Sequence, residues 1–310
     1  MKGKLHFCEK YCLTFFCERV KLVGFKFTAI ILFSLALFDT AIGGVPQNSL
    51  LNDGVDSFMN ELYSFDFVAA DSVKKNAFKK AGVEYKVSNL LDLWWNGLTY
   101  PGYNSFFVSL ENEVEKNVLE YESSNKYNND ILYTISCVFG IRLAAIKGEE
   151  MLMLRYFLKI RAGLSDILET PMKSQENMLV AGIYNYTIAG LKEKNSTIWP
   201  IVLIFYKAES EVGRSLLKKC AESSSSVIST EAHYFLFKIE DEIYNNKDEA
   251  LSNVCWLINK YPNNIVFRFE HLRILNDFGD KGFGIRNSLS KQIMDSSLTE
   301  LQKHHFLSKI

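Results

Sequence analysis

The sequence predicts an all-α fold of about twelve helices stacked as an α-solenoid. From Asn48 onward, apolar residues recur every three to four positions, which is typical of amphipathic helices, and alternating strand patterns are scarce. Only 5 of the 310 residues are Pro, about a third of average usage, so most helices run uninterrupted. Turn-forming residues separate segments of about 12–20 residues, the length of ordinary soluble helices.

The composition bounds the function before any motif is considered. Hydrophobic residues make up 48% of the chain, which excludes intrinsic disorder and provides for a sizeable core. The formal net charge is −1, whereas a nucleic-acid-binding protein needs a basic face. We therefore expect no nucleic-acid partner.

The N-terminus has the features of an export leader. Its longest apolar run is Phe27–Phe38, too short for a membrane span but suited to the core of a secretory signal. Lys21 and Lys26 precede the run, and the small residues of Ala41–Gly43 follow it. We predict a leader over 1–43, cleavage after Gly43, and a periplasmic or cell-envelope location. An uncleaved signal anchor, which would be the only membrane association, and a core helix are the alternatives.

The remaining residues, 44–310, form the predicted helical repeat domain. Residues 1–43 hold six Lys or Arg and three acids, so the 267 residues after them carry a net charge of −4. Three cysteines remain, Cys137, Cys220 and Cys255, an odd number at wide spacing that does not suit a disulfide framework. We expect buried thiols, with a single Cys220–Cys255 bridge as the alternative.

Helix boundaries follow from turn-forming residues along the chain. The predicted breaks, in order, are Ser64–Asp66, Tyr100–Gly102, 125–129, Lys147–Gly148, Thr170–Pro171, 223–226, Asn245–Asn246, Tyr261–Asn264 and Gly279–Asp280. Ile201–Phe205 is the one strand-like run, and a short buried helix opened by Pro200 explains it equally well. The amphipathic segment 298–310 is expected to cap the stack or to dock on a partner.

Several segments repeat one helix-hairpin pattern. Ala250 is a small residue early in a helix that Pro262 ends twelve residues later, and Asn263-Asn264 caps the next helix. This order is typical of the tetratricopeptide (TPR) unit, which has a period of about 34 residues. Gly213 occupies the same small position in a second such unit.

The order of these motifs resembles that of divergent bacterial exported TPR proteins. The matching features are Leu93-Trp94-Trp95, Gly182-Ile183-Tyr184-Asn185-Tyr186, an insertion over about 191–208, and a late repeat from His233 to Asn264. The resemblance spans about residues 48–297. It implies an α-solenoid of antiparallel helix pairs with a binding role.

The first candidate binding cluster is aromatic. It comprises Trp94, Trp95, Tyr100 and Tyr103, with Phe106 and Phe107 beside them. Adjacent Trp residues lie about 100° apart on a helix, so a single core stripe does not bury both. An exposed Trp favours contact with a protein or a sugar. The alternative is that both are core residues of a helix buried on two sides.

The second candidate is Tyr184, Asn185 and Tyr186, where an amide in an apolar helix could face a concave groove. The alternative is a structural hydrogen bond that holds the insertion that follows.

Catalytic and metal motifs are not found in the sequence. The acidic clusters are Glu111/Glu113/Glu115, Glu149-Glu150 and Glu240-Asp241-Glu242, all of which we expect to be solvated. The histidines lack metal-ligand spacing, and no nucleophile elbow or phosphate loop is present. We expect no cofactor, no metal and no enzyme.

The sequence therefore predicts a non-enzymatic scaffold that binds a protein or peptide segment in a solenoid groove. The alternatives are an exported helical toroid that acts on glycans, and a module that binds a small ligand or sugar in a pocket formed by the 191–208 insertion. An enzyme would place acids in one deep pocket beside Trp94 or Trp95, whereas a scaffold would show an open groove.

Overall fold

The computed structural model describes residues 53–79, 82–123, 131–194, 207–277, 283–296 and 298–310. Within these ranges the chain forms thirteen α-helices and one 3-10 turn, with no strand. The helices are α1 (Asp53–Tyr63), α2 (Phe67–Ala77), α3 (Val83–Leu98), α4 (Ser105–Ser123), α5 (Ile131–Lys147), α6 (Glu150–Glu169), α7 (Gln175–Lys194), α8 (Ser210–Ala221), α9 (Ser226–Ile239), α10 (Lys247–Lys260), α11 (Ile265–Asp277), α12 (Phe283–Asp295) and α13 (Glu300–Leu307). A 3-10 turn, Pro171–Lys173, precedes α7, and a π-helical turn, Glu240–Tyr244, continues α9.

The all-α prediction is confirmed for the described residues, which contain thirteen α-helices where about twelve are predicted for the domain. The break between α2 and α3 is not among the predicted breaks, whereas α13 lies within the separate C-terminal segment predicted at 298–310. The predicted leader, the run Ile201–Phe205 and the breaks at 125–129 and 279–280 lie outside the described residues. Helix α7 continues through Leu191 to Lys194, so the first residues of the predicted insertion over about 191–208 are helical. The arrangement as TPR pairs stays a prediction.

Local sequence signals account for the helix starts. The Asp66 carboxylate accepts a hydrogen bond from the backbone N–H of Ala69, which caps α2. Asn264 Oδ1 accepts from the N–H of Phe267 at 3.0 Å, so the predicted cap of α11 is confirmed. Such side chains satisfy N–H groups that have no partner within their own helix.

Helices that follow one another in the chain pack together, and the closest approach joins α7 and α8. A methyl group added at Gly213 would lie 2.1 Å from the backbone nitrogen of Tyr186, so no residue with a Cβ fits there without displacing a helix. This explains the small residue that the repeat pattern places at Gly213.

The first helix does not lie at a free end of the array. Asn60 Oδ1 of α1 accepts a hydrogen bond from the Tyr261 hydroxyl at 2.8 Å. Asn264 donates to the backbone oxygen of Tyr63, the last residue of α1, also at 2.8 Å. The beginning of the described chain is thus bound to segments about 200 residues later. An open stack of repeats, in which each unit contacts only its neighbours, would not make these contacts.

The C-terminal helix strengthens this closure. A capping box at Thr299 and Gln302 begins α13, and Phe306 packs into a small second core with Ile265 and Leu272. The side-chain amide of Gln302 donates to the buried Thr99 hydroxyl at 2.6 Å, just after α3. The predicted capping role of the segment 298–310 agrees with these contacts.

Cys137 and Cys220 are buried, Cys255 is partly exposed, and all three thiols are free, so the alternative Cys220–Cys255 bridge is not formed.

In the parts of the chain that the structure describes, no helix has the length and apolar character to span a membrane.

Candidate functional site

A cavity of about 480 Å³ lies where the early and late helices meet. Five helices contribute to its wall, through Tyr63 (α1), Trp94 and Trp95 (α3), Arg142 (α5), Glu231 (α9) and Phe267 (α11). Ile146 and Val266 also line it and retain exposure to solvent. Its volume is within the range of small-molecule sites, about 300–1,000 Å³. We call it the central cavity.

Aromatic rings form much of the wall. The Trp95 indole packs edge-on against Tyr63 and Phe267, with ring centres 5.7 and 6.3 Å apart. Trp94 packs against Phe107 and Phe139, outside the cavity lining, at 5.5 and 6.0 Å. Each indole is thus packed against at least two other rings, and together they give the cavity an aromatic, apolar wall.

A buried polar group faces this wall. The Tyr63 hydroxyl donates a hydrogen bond to the Glu231 carboxylate, and both residues are almost fully buried. Burial raises the pKa of Glu231 above its usual value, against the opposing effects of Tyr63 and Arg142. Burial and the nearby Glu231 charge together raise the pKa of Tyr63.

Arg142 supplies a desolvated cation to the same cavity. Its side chain is only 4% exposed, and its guanidinium carbon lies 4.8 Å from the centre of the Trp94 ring. Burial lowers the pKa of Arg142 to about 10, with Glu231 acting in the opposite direction. The guanidinium therefore remains protonated at neutral pH.

An ion pair lies along the wall. Lys238 Nζ is 2.5 Å from Glu270 Oε1 and 3.1 Å from Glu242 Oε1. Burial alone would raise the pKa of Glu270, but Lys238 and Arg273 outweigh it and the pKa lies below its usual value. The two cavity carboxylates, Glu231 and Glu270, thus have pKa values displaced in opposite directions.

The structure divides the predicted aromatic cluster. Trp94 and Trp95 are both buried, at 6% and 8% exposure, which agrees with the interpretation of both as core residues and not with an exposed indole. Helix α3 packs against α1 and α2 as well as α4 and α5, so it is covered on more than one side. Both indoles nonetheless reach the central cavity.

Tyr100 and Tyr103 lie away from the central cavity. Tyr100 stacks on Phe106 with ring centres 5.2 Å apart, and Tyr103 stacks on Phe107 at 6.0 Å. The Tyr103 hydroxyl donates to Glu111 Oε2 at 2.5 Å. These residues hold the turn between α3 and α4, which is a structural role.

Tyr184, Asn185 and Tyr186 do not line the central cavity either. Both tyrosines are buried where α7 packs on its neighbours. Asn185 Nδ2 donates to the backbone oxygen of Ala181, and Asn185 Oδ1 accepts from the N–H of Glu209 at 3.1 Å. Glu209 directly precedes α8, so Asn185 makes the kind of structural hydrogen bond that the alternative interpretation expects.

The expectation that Glu240 and Asp241 are solvated is wrong. Both are buried in the π-helical turn, because that turn packs between α7 and α10. Glu240 Oε1 lies 2.5 Å from the Tyr186 hydroxyl and 3.1 Å from Arg214 Nε. These contacts make Glu240 part of a structural network.

Sequence reasoning missed Arg142, Glu231 and Glu270. A usable signal existed, since Glu231, Tyr234 and Lys238 recur at i, i+3 and i+7 and thus share one face of a largely apolar helix. Charges on an apolar face indicate a buried polar site. That face lies beside Tyr63 and Trp95 because distant parts of the chain pack together. No local sequence pattern shows this long-range packing.

Neither candidate metal ligands nor comparisons with known proteins indicate a function for the chain. Within the described ranges, no group of three or more His, Cys, Asp or Glu side chains is placed to hold a metal ion. No family model, curated protein or solved structure matches the chain. The functional argument therefore depends on the geometry of the central cavity.

Proposed function

We propose that the protein is a non-enzymatic binding protein that takes the apolar body of a ligand, or of the end of a peptide partner, into the central cavity. The observation that carries this proposal is the position of the cavity, with both Trp94 and Trp95 in its wall. Aromatic walls with a few convergent polar groups are typical of ligand sites.

The closed array changes the predicted binding mode. A groove that runs along an open solenoid would present an extended surface to a protein segment. Here hydrogen bonds join α1 to Tyr261 and Asn264, in the turn between α10 and α11, and the space that we propose for a ligand is the central cavity. A compact ligand or a chain end fits this space better than a continuous helix or strand.

An aromatic fluorescent probe tests the proposal directly. 1-Anilinonaphthalene-8-sulfonate (ANS) should bind at one site per chain, with energy transfer from tryptophan. Ala145→Phe places an extra ring in the cavity wall and should abolish this binding. Leu119→Phe adds a ring at a position that is 64% exposed and outside the lining, and should leave it unchanged.

Equal ANS binding by wild type and Ala145→Phe would contradict the proposal. Both variants are first checked for unchanged helix content, so that loss of binding reports on the cavity. The difference in ANS binding between Ala145→Phe and Leu119→Phe then measures how much of the binding is due to the cavity.

An enzyme remains the second candidate, because one observation favours it. Glu231 and Glu270 line the same cavity beside the Trp pair, and their pKa values are displaced in opposite directions. Such a pair is typical of a general acid and a general base. Turnover of a glycan library by wild type, lost in both Glu231→Gln and Glu270→Gln, would establish catalysis.

The cellular location is proposed from the sequence alone. The segment Phe27–Phe38, with Lys21 and Lys26 before it, supports export to the periplasm or cell envelope. N-terminal sequencing of the protein from the cell envelope should begin at Gly44. An intact Met1 in the mature form would contradict cleavage.

A further inference from the structure

The charges around the central cavity specify its ligand more closely than the aromatic wall does. We propose that the central cavity binds a singly charged carboxylate with an apolar or aromatic body, whose anionic end is held by Arg142. This inference rests on the proposed binding function and adds the chemical class of the ligand.

The cation in the cavity wall, Arg142, is chemically suited to a carboxylate. Arg142 lies in the cavity wall with its side chain almost fully removed from water. A guanidinium carries five N–H donors in a planar fork, so it can hold a protein partner and a ligand oxygen together. Its fork matches the two oxygens of a carboxylate.

A cationic ligand does not suit the charges of the cavity. Arg142 lies over the face of Trp94, which is where a ligand cation would seek a ring. The Glu270 carboxylate already lies 2.5 Å from Lys238 Nζ and 2.8 Å from Arg273 Nε. A ligand ammonium would therefore meet the cations Arg142 and Lys238 in the lining, where the Glu270 carboxylate is already paired with Lys238.

The two carboxylates of the cavity limit the ligand to one negative charge. Glu231 and Glu270 border the cavity and would repel a dianion such as a phosphate monoester. A carboxylate close to Arg142 approaches Glu231, which takes up a proton more readily than an ordinary glutamate because it is buried. Protonation of Glu231 would remove the repulsion toward one ligand carboxylate.

The volume of the cavity limits the size of the ligand. A volume of about 480 Å³ accommodates an aromatic ring and a short chain, and the rings of Trp95, Tyr63 and Phe267 provide its apolar surface. Two sources supply this chemistry: a small aryl or alkyl carboxylate, and the C-terminal residue of a peptide with an apolar side chain.

Three isosteric probes test the charge preference. 3-Phenylpropionate, 3-phenylpropanol and 3-phenylpropylamine share one body and differ in the polar end. Calorimetry, with ANS displacement as a second readout, should show the carboxylate binding roughly 10-fold to 100-fold tighter than the alcohol, because its hydrogen bonds are charge-assisted. The amine should bind most weakly.

Variants of Glu231 and Arg142 identify which side chain sets the preference for the carboxylate probe. Glu231→Gln removes the repelling carboxylate and keeps an acceptor for Tyr63, so it should tighten carboxylate binding severalfold and leave alcohol binding unchanged. Arg142→Met should reduce the carboxylate to the affinity of the alcohol. Since Arg142→Met removes a buried charge from the core, Arg142→Lys is the second variant, and it should retain part of the preference.

The outcomes separate this inference from the proposed function. Equal binding of the three probes, with ANS binding still lost in Ala145→Phe, would overturn the carboxylate class and leave the cavity function standing. Tighter binding of the amine, or weaker carboxylate binding in Glu231→Gln, would also overturn it. ANS binding that persists in Ala145→Phe would overturn both.

A peptide arm distinguishes the two sources of the carboxylate. A decapeptide that ends in Phe is compared with its C-terminal amide. Binding of the free acid alone, as tightly as 3-phenylpropionate, would support a peptide end as the ligand. Binding of 3-phenylpropionate without the decapeptide would support a small carboxylate, and both results agree with the proposed class.

Discussion

Glu231 and Glu240 are buried carboxylates in one continuous helical segment, but their surroundings differ. Glu240 is directly bound by the Tyr186 hydroxyl, Arg214 and Asn246, all within 3.1 Å. Glu231 accepts from Tyr63 and borders the central cavity. A buried charge surrounded by protein donors stabilises packing, whereas one beside a cavity can respond to a ligand.

The two carboxylates also join different parts of the chain. Through Arg214 and Tyr186, Glu240 connects α9 to α7 and α8, which are its neighbours in sequence. Through Tyr63, Glu231 connects α9 to α1, across 168 residues. The first contact strengthens local packing, and the second closes the array that forms the cavity.

The largest expected effect follows from removal of the Glu240 carboxylate. Glu240→Ala leaves the Tyr186 hydroxyl and Arg214 without this acceptor in the protein interior, so we expect a loss of about 3–5 kcal/mol in the free energy of unfolding. Urea denaturation measures it. Glu300→Ala is the matched control, because Glu300 is 90% exposed in its pair with Lys303 and should have no measurable effect. Similar stabilities of the two variants would contradict the structural role of Glu240.

Gly213→Ala should have the next largest effect. The new methyl group would meet the backbone of Tyr186, which separates α7 from α8 and moves Tyr186 relative to Arg214. Overpacking of this kind costs about 1–3 kcal/mol. Gly284→Ala in α12 has open space around it and should be neutral or stabilising by up to about 1 kcal/mol. Equal thermal stability of both variants would show that α7 and α8 are not in close contact.

Glu231→Gln should have the smallest effect on stability, and that effect should depend on pH. Because the pKa of Glu231 is raised in the folded state, the wild type loses stability as pH rises from the ordinary value of 4.5 through the raised value. The variant lacks this loss, so its stability relative to wild type should increase over that window and then level off. Thermal unfolding of both proteins from pH 4 to pH 8 measures the difference, and a constant difference would mean that Glu231 ionises normally.

The sequence predicts helices and their ends well because these depend on nearby residues. The Asn264 cap and the glycine at position 213 follow from local patterns that the structure confirms. The central cavity does not follow from such patterns. It depends on contacts such as Tyr63 with Glu231 and Gln302 with Thr99, between residues far apart in the chain.

The predicted site residues illustrate the same limit. Aromatic character correctly draws attention to Trp94 and Trp95, but their burial depends on how many helices surround α3. Arg142 lies in an apolar helix, and the role of its charge is recognisable only when the surrounding residues are known. A functional role for either Trp or for Arg142 is thus a proposal from the structure.

Fluorine NMR of the protein labelled with 5-fluorotryptophan tests the central claim most directly. The chain has four Trp residues, and Trp256, which stacks on His233 away from the cavity, is an internal control. Resonances are assigned by single Trp→Phe substitutions. On addition of ANS, the Trp94 and Trp95 signals should shift together while the Trp256 signal stays. A shift of Trp256 with unchanged Trp94 and Trp95 signals would contradict ligand binding in the central cavity.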